Sequence, residues 1–95
     1  MKTYTFTETD LASRAKARKL RSHLFQNADV NDVVELNFEN VLSISDSFAD
    51  ELFGVLAVQF GVRGLAEIVK IDNASRQLFL VIASNIQTRT QQLTH

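Results

Sequence analysis

Val41-Leu42-Ser43-Ile44-Ser45-Asp46-Ser47-Phe48-Ala49-Asp50-Glu51-Leu52-Phe53-Gly54 decides how this 95-residue chain reads. An apolar run of strand character empties into polar turn residues, and the turn opens at once into a helix. The helix is expected over 46–60, with Phe48, Leu52, Phe53, Leu56 and Phe60 recurring at helical spacing. Strand, turn and amphipathic helix in immediate succession are the unit of an α/β fold. The Ser47 hydroxyl falls in the first helical turn, where free backbone N–H groups and the helix dipole favour added negative charge and the turn keeps the side chain reachable. Ser47 is therefore a candidate switch.

Working outward, residues 3–7 alternate Thr with Tyr4 and Phe6, the period-two pattern of a half-buried strand. Residues 12–26 lack Gly and Pro and are rich in Ala, Leu, Arg and Lys, so a first helix follows, capped by Thr9 or Asp10. Ala17, Leu20 and Leu24 form one face of it, and Arg14, Arg18 and Arg21 another. A polar turn over 27–32 leads to a short apolar run over 33–38, expected as the central strand. Gly61 and Gly64 punctuate the way to a third strand over 67–71, and Asn73 caps a last helix over 74–91. Within it, residues 78–82 have strand propensity, but the length of the segment and its cap favour helix. The order strand-helix-strand-helix-strand-helix predicts a small mixed sheet packed with helices.

One core and one domain, 1–95, suit a chain of this length. With 45% hydrophobic residues and seven Phe it can bury that core. The absence of Cys excludes disulfides, iron–sulfur clusters and thiolate zinc sites, and fits a reducing compartment, so the cytoplasm is the expected location. No apolar run approaches the length of a membrane span, and the first residues carry no apolar leader. The net charge of −1 hides an uneven distribution. Residues 1–30 carry six Lys/Arg against three Asp/Glu, 31–60 none against six, and 61–95 four against two. An acidic middle third argues against a whole-surface nucleic-acid binder.

The central segment, with Ser-Phe-Ala-Asp-Glu over 47–51, resembles the STAS-like domains, relatives of anti-sigma factor antagonists and of sulfate-transporter cytoplasmic domains. Residues 11–18 are similar to the start of the first helix in a small bacterial STAS-like group of unassigned function. In the antagonists, a serine directly after an aspartate at this helix start is phosphorylated by a partner that is both serine kinase and sigma-factor binder; the positions here are Asp46 and Ser47. Where the antagonists continue with a small hydroxyl residue and Gly, this chain has Phe48 and Ala49. The resemblance implies a non-catalytic regulatory module with a histidine-kinase-like ATPase or serine kinase as partner. Ser45, Asp46, Ser47, Asp50, Glu51 and Gly54 are the candidate partner-binding residues and Ser47 the candidate phosphoacceptor.

Simpler structural roles exist for all of these. Ser45, Asp46 and Ser47 are ordinary helix-start residues, worth about 1 kcal/mol as a cap. Asp50 and Glu51 complement a helix dipole anywhere, and on the Ser47 face they would repel a phosphate. Gly54, where Ala would be better by about 1 kcal/mol, marks a close approach by another backbone or a partner. Arg14, Arg18 and Arg21 read first as a solvated face, and as a phosphate-binding stripe if the protein is instead nucleic-acid-associated. His23 and His95 have no nucleophile or carboxylate at catalytic spacing, no metal-ligand pattern occurs, and the three glycines fit no phosphate-binding loop, so neither enzyme activity nor a cofactor is expected. An open edge on strand one makes self-association a further expectation.

Overall fold

The computed structural model of the chain describes residues 2–25 and 33–92. The turn expected over 27–32 and His95 lie outside that range. In chain order the elements are β1 (Lys2–Thr5), β2 (Asp10–Leu11), α1 (Arg14–Phe25), β3 (Val34–Asn37), β4 (Ser43–Ile44), α2 (Asp46–Ala49), a π-helical turn (Asp50–Gly54), α3 (Val55–Ile68), β5 (Val69–Asp72) and α4 (Arg76–Gln91).

β1, β3 and β5 form a three-stranded sheet with β3 in the centre, as the apolar run predicted. Its ladders are parallel, as is the separate two-stranded ladder of β2 with β4, so the sheet expected to be mixed is parallel. The reason is topological: each step from strand to strand in the main sheet passes through a helix, which returns the chain to the same end. Tyr4, Leu36 and Ile71 form one cross-strand row on the core face, and Thr3, Glu35 and Lys70 a row on the polar face. Phe6, Phe38, Phe48 and Phe53 fill the space between sheet and helices, with Phe6 and Phe38 ring centres 4.8 Å apart.

Several boundaries differ from expectation for local reasons. Asp10 and Leu11 pair with β4 rather than capping α1, and Ser13 takes the cap by accepting the Lys16 N–H at 3.2 Å. Gly61, at φ 77° and ψ 163°, leaves helical geometry and breaks α3 into two segments, as the helix end expected at residue 60 requires; the second segment runs on through Glu67 and Ile68, the residues expected to start the third strand. Asn73 adopts φ 57° and ends β5, and the cap of α4 is Ser75, which accepts the Leu78 N–H at 3.1 Å. Residues 78–82 are helical, with Leu78 and Ile82 buried one turn apart. No helix among the described residues is long and apolar enough to cross a membrane.

Candidate functional site

The β2–β4 ladder fixes where the second helical segment begins. Leu42 N–H donates to the Thr9 carbonyl at 2.7 Å and Ser45 N–H to the Leu11 carbonyl at 2.8 Å. The Ser45 hydroxyl donates to the Ala12 carbonyl at 3.2 Å and accepts the Phe48 N–H at 3.1 Å, capping α2. The start of α2 is thereby tied to the residues that lead into α1, which brings the basic face of α1 over the π-helical turn.

Glu51 sits beneath that face, only 6% exposed. Its carboxylate accepts from Arg21 at 2.6 Å and from Arg14 at 3.3 Å, with Arg18 at 3.6 Å. Consecutive helical residues point about 100° apart, so Asp50 faces α4 instead. There Arg89 grips it in two-pronged fashion, Nε to Oδ1 at 2.9 Å and Nη2 to Oδ2 at 2.8 Å, while Arg14 donates to Oδ2 at 3.0 Å. Arg14 touches both carboxylates, so α1, the π-helical turn and α4 share one ionic cluster.

The electrostatics follow from those bonds. The Arg89 hydrogen bonds hold the Asp50 carboxyl below its ordinary pKa against the opposing effect of burial, with Arg14 assisting. For Glu51, burial is the largest influence and pushes the pKa up, but hydrogen bonds from Arg21 and Arg14 and the charges of Arg21 and Arg18 outweigh it, leaving a net lowering. The hydrogen bond to Asp50 raises the pKa of Arg89 in turn. Both carboxylates are anions at neutral pH.

Gly54 has its explanation inside the domain. A Cβ there would lie 2.8 Å from Asp50 Oδ1 and 3.2 Å from Arg89 Cβ, so the missing side chain lets α4 cross close enough for the Arg89–Asp50 pair to form. The close approach predicted from the sequence is made by this chain's own α4.

Two expectations about exposure need correction. Glu51 and Gly54 do not share an open face with Ser47, since both are buried; Asp50 does line an open cleft with Ser47, but it is bound there between two arginines. Nor are Arg14, Arg18 and Arg21 a purely solvated stripe, since all three lie within ion-pair distance of Glu51. The basic first third of the chain folds against the acidic middle third.

What stays open is a cleft of about 390 Å³ lined by Arg14, Asp46, Ser47, Asp50, Asn85 and Arg89 among others. Asn85 donates to Asp46 Oδ1 at 2.9 Å. Ser47 is half-buried at the edge of the cleft, and its hydroxyl has no hydrogen-bond partner among the described residues. Asn85 and Arg89 escaped the sequence reading; the polar series Asn85, Thr88, Arg89 and Gln92 along one side of α4 was the signal available. Among the described residues no group of three or more His, Asp or Glu side chains could hold a metal ion.

Residues 16–78 match the sequence profile of a family described as a STAS-like domain of unknown function (DUF4325). The chain belongs to this family. No curated protein and no solved structure matches it. The matched part of this STAS-like domain contains Arg18, Arg21, Asp46, Ser47, Asp50 and Glu51, while Arg14 and Arg89, the two arginines on Asp50, lie outside it.

Proposed function

We propose that this STAS-like domain is a non-catalytic regulatory module of the cytoplasm that binds another protein through the surface around Asp46 and Ser47, with Ser47 as its phosphoacceptor. The observation that carries the reading is the Ser47 hydroxyl, unbonded among the described residues, in a cleft whose walls include Arg14 and Arg89. Four guanidinium groups surround two carboxylates in the adjoining cluster, which leaves it with excess positive charge. Asp50 and Glu51 are thus offset, and the repulsion they would exert on a phosphate is offset with them. A phosphate adds about −1.5 to −2 charges at pH 7 and competes with Asp50 for Arg14 and Arg89. The partner of this reading is a histidine-kinase-like ATPase or serine kinase, which binds the unmodified surface and is released by the modified one. A nucleic-acid role for Arg14, Arg18 and Arg21 is the weaker reading, because Arg14 and Arg21 already hold buried or half-buried carboxylates.

Capture from source-cell lysate tests the proposal. Wild-type and Ser47→Ala baits are expected to retain a common ATPase or kinase that Ser47→Asp loses, with melting temperatures nearly equal. Equal capture by all three baits, or capture of none, contradicts it.

A further inference from the structure

β5 is an edge strand, paired on one side with β3 and on the other with nothing among the described residues. Phe38 N–H donates to the Asp72 carbonyl at 2.9 Å. Alternation along the strand therefore turns the N–H and C=O of Ile71 away from β3, toward the open edge. Beside that edge lies an apolar groove of about 380 Å³, lined by Phe53, Val62, Leu65, Ile71, Phe79 and Ile86 among others. Val62 is 55% and Phe79 52% exposed. An unpaired edge next to exposed aromatic and aliphatic surface is a ready template for another strand.

The charges of the strand identify which strand fits. β5 reads Val69-Lys70-Ile71-Asp72. If a second β5 lies antiparallel with Ile71 opposite Ile71, each Lys70 falls opposite the other copy's Asp72. The outward Ile71 groups then form the hydrogen-bonded pair, and the two Lys–Asp pairs occupy non-hydrogen-bonded positions, where facing side chains come closest. The faces agree as well. Ile71 lies on the core side, adjoining the groove, and Lys70 and Asp72 on the polar side. β1, the other edge, offers no such match, because its sequence Lys-Thr-Tyr-Thr contains no acid to oppose Lys2.

We propose that β5 pairs antiparallel with β5 of a second copy about a twofold axis at Ile71, joining two three-stranded sheets into one and covering the Val62–Phe79 groove. Asn73, at φ 57°, bends the chain off the edge directly after Asp72. Backbone pairing is consequently short, and the apolar groove supplies the rest of the contact.

The register gives a decisive test with the full chain, read by sedimentation velocity and native mass spectrometry at micromolar concentration. Wild type is expected to be a dimer. Lys70→Asp makes both positions acidic and Asp72→Lys makes both basic, so each variant alone should dimerise at least about tenfold more weakly. Mixed in equal amounts, the two variants should form a heterodimer, since every pair across the axis is again opposite in charge. Circular dichroism establishes that each variant is folded. Phe79→Asp, at an exposed position, provides an independent arm and should also yield monomer. A monomeric wild type, a dimer that survives Phe79→Asp, or two folded charge variants that do not associate on mixing would overturn the proposal.

Discussion

Glu51 is the residue on which the local electrostatics turn, because it is the buried charge among the described residues and three arginines of α1 are arranged around it. A buried carboxylate is tolerable only when paired and hydrogen-bonded, and removing its charge turns the 2.6 Å bond from Arg21 from a charge-paired into a neutral-acceptor one and leaves the arginines around it without their counter-charge. Glu51→Gln is expected to lower unfolding free energy by about 2 kcal/mol, the scale of a hydrogen bond to a charged group, measurable by urea titration. The pH dependence follows in sign from the same bonds. Asp50 and Glu51 both have folded pKa values below their ordinary 3.8 and 4.5, so the unfolded chain takes up protons first as pH falls. Their contribution is complete above those values and is lost progressively at lower pH. Urea midpoints measured downward from pH 6 should fall in wild type and fall less steeply in the Asp50→Asn/Glu51→Gln double variant.

Helix and sheet elements divide by how much of their cause is local. The central strand β3, helix α1 and the helical character of residues 78–82 are legible because apolar period, propensity and length lie within one segment. β2 and β4 are not, since two-residue strands have no period and exist only through each other. The break at Gly61 is legible as glycine punctuation, but the helical segment beyond it is not, because Ile68 runs straight into the β-branched Val69 and Ile71 and shares their strand propensity. The candidate site shows the same division. Ser45, Asp46 and Ser47 stand out as a helix start, whereas the Arg89–Asp50 contact spans 39 residues and appears only when α4 packs on the π-helical turn. That packing makes the two glycines of this region behave differently. Gly54→Ala should cost roughly 1–3 kcal/mol through overpacking against Asp50 and Arg89, despite a propensity gain of about 1 kcal/mol. Gly61→Ala meets no atom within 4 Å. Its cost should be the backbone strain of an alanine held at φ 77° and ψ 163°, a region essentially reserved for glycine, about 1–3 kcal/mol. Thermal melts of Gly54→Ala in the wild-type and Asp50→Ala backgrounds test the cause at Gly54, because removing the carboxylate takes away the contact at 2.8 Å and lowers the cost only if overpacking is the reason.

Across the whole molecule, the uneven charge of the chain becomes its organising contact. Six Lys/Arg in the first thirty residues and six Asp/Glu in the next thirty look like separate surfaces in the sequence. In the fold, α1 lies over the acidic π-helical turn, and a nearly neutral total conceals a strong internal pairing. The same event places Ser47 in a cleft between α1, α2 and α4 whose lining includes Arg14 and Arg89 together with Asp46 and the arginine-paired Asp50. Modification of Ser47 is the central functional claim, and intact mass spectrometry tests it most directly. Wild-type and Ser47→Ala protein would be incubated with source-cell lysate and Mg-ATP, recovered and weighed. A phosphate-sized gain in wild type that is absent from Ser47→Ala is the predicted result. No gain in wild type, or an equal gain in both proteins, would contradict the account.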